Sequence, residues 1–375
     1  MPTSTPEPTP GPFRERLEAL YDRHGRWLPP LFFVAGFTWD SLTLRRIDAW
    51  VDNVILLAYL IALGLMITVT VMTECGHIRR AFIVKYKRWH PLAIQFFLGG
   101  LFSAYVVFYF KSASAMESYV FLSLLVLLLI ANEFLERRLN TIELLLPLYF
   151  LACSSFLTFF IPVATKQVAT WTFVLANAVS LGIVLTMVVY FGKRSVFNSR
   201  KHFFAAGGII LLLYAGMHGL YFKNWIPPVP LALTNAGVYH HAERDPETGI
   251  YTLQYEPRAS YGFWVDYDRV FRYDADDTVY CFAAVFAPTD LEKDVYHHWQ
   301  YFDDAQDKWM TTDRIPYRLV GGRDGGYRSI SYKRNIRPGK WRVEIRTQDE
   351  KTIGRVHFSA VASVTGAERL RTIER

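Results

Sequence analysis

The chain has 375 residues, 51% of them hydrophobic, and a mean hydropathy of +0.13, which is high for a water-soluble protein. Its formal charge is +7, yet residues 226–375 hold 21 Lys and Arg against 22 Asp and Glu, while residues 1–225 hold 20 against 12. The positive excess therefore lies among the hydrophobic segments. There it predicts membrane orientation and argues against nucleic-acid binding.

The first 26 residues are polar and rich in proline. They contain no apolar run of the kind that a cleavable signal peptide requires. We assign 1–26 to a cytoplasmic N-terminal segment, partly amphipathic, and expect the first hydrophobic run to serve as an uncleaved signal anchor.

Seven apolar segments follow, and we assign 27–225 to a seven-helix transmembrane domain. A span needs about 20 apolar residues. The first segment is the weakest, since Pro29, Pro30 and Asp40 interrupt it, and it need not span the membrane fully. The predicted spans are 27–44, 51–73, 91–110, 118–135, 142–163, 168–191 and 203–222.

The loops between these segments predict an orientation, because cytoplasmic loops carry an excess of Lys and Arg. The N-terminal segment and the loops on the same side of the membrane hold 15 Lys and Arg residues, and the loops on the other side hold 5. We therefore expect a cytoplasmic N-terminus. Seven crossings then place the C-terminal half outside the cytoplasm.

Few ionisable groups fall deep within the predicted spans, which disfavours a transporter. Asn177, Ser154 and Ser155 come nearest to mid-membrane. We expect them to form hydrogen bonds between helices.

A polar cluster is predicted at the outer membrane surface. The stretch "GFTWDSLTLRRIDAWVD" brings Asp40, Arg45, Arg46 and Asp48 together, and His218 lies near the outer end of the last span. The cluster could tie the first two spans together by ion pairs. It could also be a polar seat for the outer domain or for a lipid headgroup.

The C-terminal half alternates polar and apolar residues with the period of a β-strand. In "KWRVEIRT", Trp341, Val343 and Ile345 point one way and Arg342 and Glu344 the other. Short strands separated by Gly, Pro and Asp predict an immunoglobulin-like β-sandwich. We assign it to 226–362 and a polar C-terminal tail to 363–375.

Several long stretches here resemble a bacterial family of multispanning membrane proteins that end in a domain of unknown function. They include "VYCFAAVFAPTDL", "HHWQYFDDAQDKW", "GGRDGGYRSISYKRN" and the closing pair "GKWRVE" and "IGRVHF". The resemblance covers about residues 220–362. It implies a bacterial inner-membrane protein with a periplasmic β domain, and it brings no catalytic residues with it.

The stretch "VYHHWQYFDD" raises metal binding and catalysis as alternatives. Neighbouring residues on a strand point to opposite faces, so His297 and His298 cannot both bind one metal ion from a regular strand. No catalytic motif accompanies them. We therefore predict no catalytic residue, metal or cofactor.

Binding is the chemistry that the remaining residues suit. Exposed aromatic rings can stack on sugars, and arginines on a glycine-rich turn can hold an anion. The candidate ligand-binding residues are Arg323, Asp324, Arg328, Trp299 and Tyr301.

The resulting hypothesis is an inner-membrane protein whose periplasmic β-sandwich binds a glycan, an anionic lipid headgroup or a partner protein. Two alternatives remain open. One is an integral-membrane enzyme that acts on a lipid or glycan at the outer leaflet through Asp40 or His218. The other is a small-molecule transporter.

Overall fold

The chain forms a helical region followed by a region built mostly of β-strands, as the sequence predicts. The computed structural model describes residues 37–38, 40–42, 44, 48–112, 119–134, 141–197, 199–256, 266–274, 277–323, 325–362 and 370–375.

Five helices are long and apolar enough to cross a membrane. They contain between 23 and 25 residues. At a rise of about 1.5 Å per residue each exceeds the roughly 30 Å of a bilayer's hydrocarbon core. These five are α1 (Trp50–Glu74), α3 (His90–Ser112), α5 (Ile142–Thr165), α6 (Thr170–Lys193) and α7 (Arg200–Phe222); the shorter ones are α2 (Ala81–Lys85), the 3-10 turn Lys87–Trp89 and α4 (Tyr119–Phe134).

Two of the seven predicted spans are not among these five. Helix α4 coincides with the predicted span 118–135, but only 16 residues of it are described. Most of the predicted span 27–44 lies outside the described residues. Seven spans therefore remain a prediction.

Helix α5 is the most deeply buried of the five long helices and α7 the least. The hydroxyl of Ser154 in α5 donates a hydrogen bond of 2.6 Å to the side-chain oxygen of Asn177 in α6. Tyr109 in α3 donates to the carbonyl oxygen of Ser155 at 2.9 Å. The hydrogen bonds between helices predicted for these polar residues are present, although Ser155 takes part through its backbone.

Eleven strands form three sheets in the described part of the C-terminal region. The sheet orders are β1-β5-β8, β4-β10-β9-β6-β7 and β11-β3-β2. The strands are β1 (Ala232–Tyr239), β2 (His241–Arg244), β3 (Tyr251–Tyr255), β4 (Val270–Tyr273), β5 (Val279–Phe286), β6 (Glu292–Asp303), β7 (Lys308–Val320), β8 (Tyr327–Lys333), β9 (Gly339–Thr347), β10 (Thr352–Ala362) and β11 (Arg371–Glu374).

The first two sheets share a core. Val238 and Cys281 of the three-stranded sheet pack with Trp299, Trp341 and Phe358 of the five-stranded sheet. The opposite face of the β1-β5-β8 sheet packs on the third sheet, through Tyr239, Phe282, Tyr251 and Leu253 among others. The region therefore has three layers, and an immunoglobulin-like strand arrangement stays a prediction.

The end of the chain is built into the third sheet. Strand β11 lies within the stretch assigned to a polar tail, and it pairs antiparallel with β3, where Thr372 faces Gln254. A strand of four largely polar residues carries too little apolar alternation to be predicted from sequence.

The turns at one end of the β region contact residues that flank two of the long helices. The backbone N–H of Thr289 donates to a carboxylate oxygen of Asp48 at 3.2 Å. Lys166 forms an exposed ion pair with Asp290 at 2.7 Å. We call this end of the β region the helix-facing end.

Candidate functional site

Strand β6 carries the histidine pair, and its two faces have different environments. Val295, His297 and Trp299 face the core between the two sheets and are buried. Tyr296 and His298 point to the opposite face of the five-stranded sheet. Alternation along the strand therefore separates the two histidines, as predicted.

His297 links the five-stranded sheet to the β1-β5-β8 sheet through hydrogen bonds. Its Nδ1 lies 2.6 Å from the hydroxyl of Ser331 and its Nε2 lies 3.1 Å from that of Ser329. The indole N–H of Trp299 donates to the same Ser331 hydroxyl at 3.0 Å. Burial lowers the pKa of His297 to about 3, so the imidazole is neutral at physiological pH.

His298 belongs to a polar layer on the other face, whose centre is Glu344. The strand register places His298 and Arg355 on either side of Glu344, on the neighbouring strands β6 and β10. The Glu344 side chain is fully buried. Its carboxylate contacts the Nε atoms of Arg342 at 3.3 Å and Arg346 at 2.8 Å, and it also pairs with Arg355.

A second carboxylate extends this layer toward solvent. Glu350, in the β9–β10 turn, pairs with Arg346 at 2.9 Å and with Arg314 of β7 at 3.1 Å. Arg342 donates to the side-chain oxygen of Gln300 at 2.5 Å, and its guanidinium lies 4.3 Å from the ring centre of Trp309. The polar layer comprises Tyr296, His298, Gln300, Arg314, Arg342, Glu344, Arg346, Glu350 and Arg355.

The polar layer carries a net positive charge. It has four arginines and two glutamates, and its histidine adds no charge because burial, followed by the field of Arg346, lowers the pKa of His298. Burial also opposes the charge on Arg346, but the carboxylates of Glu344 and Glu350 help to raise its pKa. The formal charge of the layer is therefore +2 at neutral pH.

Thr311, His298 and Glu344 follow one another in the order of a nucleophile, a base and an orienting acid. The hydroxyl of Thr311 lies 2.8 Å from Nε2 of His298. Nδ1 of His298 is 3.7 Å from the carboxylate of Glu344, however, and that distance is too long for a hydrogen bond. The arginines around Glu344 compete for its charge, so the geometry favours a structural network over nucleophilic catalysis.

The candidate ligand-binding residues do not form one site. Trp299 is fully buried in the core and has no exposed ring surface. Tyr301 is half-buried and donates to the carbonyl oxygen of Pro338 at 3.3 Å. Tyr301 lies nine positions along β6 from Glu292, which pairs with Val320. At about 3.3 Å per residue it is about 30 Å from the start of the glycine-rich turn.

The glycine-rich turn lies at the helix-facing end. The N–H groups of Gly321 and Gly322 donate to the carbonyl oxygens of Leu291 and Ala287, at 2.9 and 3.1 Å. A Cβ at position 321 would lie 1.9 Å from the carbonyl oxygen of Pro288, so only glycine allows this approach. Arg323 lies over the ring of Tyr327 at 5.3 Å. Arg328 is half-buried on β8, and Asp324 lies outside the described residues.

The predicted outer cluster is described in part. Ser103 donates to Asp40 at 2.5 Å, Asp48 contacts the turn at Thr289, and Nδ1 of His218 lies 2.9 Å from the carbonyl oxygen of Tyr214. Arg45 and Arg46 lie outside the described residues. Asp48 therefore contacts the β region, and a polar seat for that region stays a prediction.

No group of three or more His, Cys, Asp or Glu side chains in the described ranges is placed to hold a metal ion. The polar layer itself was not predicted. The alternation in "KWRVEIRT" indicated that Arg342, Glu344 and Arg346 share a face, but the sequence does not give the register that adds His298 and Arg355.

Residues 292–360, which span β6 to most of β10, match a known protein family. It is described as "Protein of unknown function (DUF2914)". A DUF2914 domain is therefore present at the C-terminal end, and it contains the whole polar layer. No curated protein matches the chain.

One solved structure with an alignment to this chain is Pseudomonas fluorescens alkylpurine DNA glycosylase AlkC bound to DNA containing an abasic site analog. The alignment covers 80% of this chain and 97% of that one, at 10% sequence identity and a TM-score of 0.18. A score this low carries no argument about fold or function.

Proposed function

We propose that this chain is a multi-pass inner-membrane protein of a bacterium and that its periplasmic β domain binds an acidic component of the cell envelope. The five long apolar helices, the loop charges and the resemblance to multispanning proteins support the membrane placement. Alkaline phosphatase fused after Lys223 should be active, and fused within 79–88 it should be inactive. The reverse pattern would contradict this orientation.

The net positive charge of the polar layer is the observation that carries the binding proposal. The β region as a whole is close to neutral, so the excess of positive charge is concentrated in the polar layer. Arg314 is about half exposed beside the ring of Tyr296, and Trp309 lies at the same face. Fixed guanidinium groups next to aromatic rings suit a sugar that carries a carboxylate or phosphate.

The arginines of the layer are already oriented before a ligand arrives. Glu344 and Glu350 hold Arg346 from two sides, and Gln300 holds Arg342. Preorganised donors lose less conformational entropy on binding than free side chains do. This rigidity favours a binding surface over a flexible cationic patch.

A binding assay with the full chain in neutral detergent tests the proposal. Oligomers of a hexuronic acid should bind, and matching neutral hexose oligomers should not. Arg314→Gln should weaken binding about tenfold, because a charge-assisted hydrogen bond contributes about 1.5–3 kcal/mol. Arg318→Gln is the matched control, since Arg318 lies on the same strand and face and also pairs with one glutamate, Glu292, but does not belong to the polar layer. Equal binding of acidic and neutral oligomers would contradict the proposal.

The glycine-rich turn is the second surface in this proposal. At the helix-facing end, Arg323 and Arg328 would meet an anionic headgroup at the outer membrane surface. Their replacement by alanine should cost about 0.5 kcal/mol of stability or less. If this double variant loses the acidic oligosaccharide and Arg314→Gln keeps it, the ligand site is the turn.

A further inference from the structure

A cavity of about 480 Å³ lies where α6 ends and α7 begins. Its polar lining includes Lys193, Ser195 and Arg200, and its apolar lining includes Val189, Phe197 and Phe203. The cavity therefore has a cationic part and an apolar part. It lies at the opposite end of these helices from the β region.

Backbone hydrogen bonds to the last turn of α6 fix the start of the loop that shapes the cavity. The N–H of Val196 donates to the carbonyl oxygen of Phe191, and that of Ser195 to Gly192, both at 3.1 Å. Ser195 has a φ of 53°, which reverses the chain after the helix. A Cβ at Gly192 would lie 2.7 Å from the ring of Phe203, so the absence of a side chain lets α7 pack directly against α6.

The two cations come from different helices and lack carboxylate partners in the parts of the chain described here. Lys193 is the last residue of α6 and Arg200 the first of α7, and both side chains are exposed. Two like charges at the mouth of one cavity repel each other, and a bound anion would remove that repulsion.

The surroundings are those of a membrane–water interface. Val189 is 45% exposed and Tyr190 42%, on the side of α6 that would face lipid. The guanidinium of Arg194 lies 5.7 Å from the ring centre of Tyr190. Tyrosine and arginine at the end of a long apolar helix are typical of the headgroup region.

We propose that this cavity binds the phosphate group of an anionic phospholipid, with Lys193 and Arg200 holding the phosphate and Val189 and Phe203 contacting the first part of an acyl chain. Basic pockets between membrane helices on the cytoplasmic side are suited to such headgroups. This inference rests on the proposed membrane placement of α6 and α7. It is independent of the ligand of the β domain.

Thermal unfolding of the full chain in neutral detergent tests the site. Phosphatidylglycerol should raise the melting temperature, and phosphatidylcholine with the same acyl chains should not. Lys193→Gln combined with Arg200→Gln should raise the lipid concentration for a half-maximal effect about tenfold or more. Arg79→Gln combined with Arg80→Gln is the control, since it removes two exposed charges on the same predicted side but away from the cavity.

Three results would overturn the proposal. The first is that phosphatidylcholine raises the melting temperature as much as phosphatidylglycerol does, and the second is that the cavity variant responds to phosphatidylglycerol as the wild type does. The third is that glycerol phosphate without acyl chains has the same effect, which would indicate a site for a soluble phosphate. If the double variant does not fold, native mass spectrometry of Arg200→Gln alone decides, because it should retain fewer phosphatidylglycerol molecules than wild type. An unchanged lipid count would contradict the site. None of these outcomes depends on oligosaccharide binding.

Discussion

The ammonium group of Lys351, in the β9–β10 turn, donates a hydrogen bond of 3.0 Å to the backbone carbonyl oxygen of Tyr221 in the last turn of α7. The same ammonium lies 3.9 Å from the centre of the Tyr221 ring. A cation at the C-terminus of a helix interacts favourably with the helix dipole and with the carbonyl groups of the last turn. Lys351 therefore fastens the β region to the last long helix.

Replacing Lys351 should loosen this attachment. Lys351→Met keeps the apolar stem but removes the hydrogen bond and the cation–π contact, and should cost about 1–2 kcal/mol. If the β region of about 150 residues unfolds as a unit in the full chain, this corresponds to a melting temperature lower by about 2–8 °C. Lys166→Met, which breaks an exposed ion pair between the same regions, should change it much less. Equal losses would mean that Lys351 has no special role.

The fragment 226–375 should fold without the helices, because it contains all three sheets and their cores. Shortening it to 226–362 removes β11 and leaves the edge of β3 unpaired. We expect both fragments to give cooperative urea unfolding and the shorter one a lower midpoint. Equal midpoints would show that β11 contributes no stability. A longer fragment that is unfolded in buffer would contradict an independent β domain.

Glu344 should be essential to the stability of the polar layer. Glu344→Gln leaves the guanidinium groups of Arg342, Arg346 and Arg355 without their shared negative charge. Breaking a buried ion pair by removing one partner costs about 3–5 kcal/mol. Glu350→Gln, at a half-exposed position, should cost less than about 1 kcal/mol. Urea unfolding of 226–375 measures both, and a similar small loss for the two variants would indicate that the arginines turn to solvent.

Acidification should destabilise the β region through His297. The pKa of His297 is about 3 in the folded chain and about 6.5 in an unfolded one. Between these values the unfolded chain binds the extra proton, so stability is lost as the pH falls below about 6.5. The expected loss from pH 7 to pH 5 is about 2 kcal/mol.

Substitution separates this effect from other titrations. His297→Leu should flatten the pH dependence without abolishing it, because burial also lowers the pKa of His240, His298 and His357. His241→Gln is the control, since His241 is only partly buried, at the start of β2. Melting temperatures at pH 7 and pH 5 give the comparison. An unchanged slope in His297→Leu would assign the effect to the other histidines.

The sequence predicted the two kinds of region because hydrophobic length and alternation are local properties. The residues of "KWRVEIRT" that were predicted to face outward share one face in the structure, because strand period alone determines that face. The meeting of Glu344 with His298 and Arg355 depends on register between strands far apart in the chain. The distance between Tyr301 and Arg323 depends on strand direction. Neither can be read from composition or spacing.

Trp299 illustrates the same limit at a single residue. A strand with aromatic residues on both faces has two possible orientations, and the core it meets decides between them. Here the serines of β8 provide partners for His297 and for the Trp299 indole, which fixes that face inward. The sequence of β6 alone does not predict that those serines are its partners.

The order of strands also determines when the protein can fold as it is synthesised. Strand β5 cannot pair with β8 until β8 has been synthesised, about forty residues later. Strand β4 likewise cannot pair with its parallel neighbour β10 until that later strand has been synthesised. The DUF2914 segment contains β8 but neither β1 nor β5, so it cannot complete the sheet to which β8 belongs. A nascent chain would thus hold its β half open, with apolar strands exposed, until β10 has been translated. Chaperone protection would be needed most in that interval.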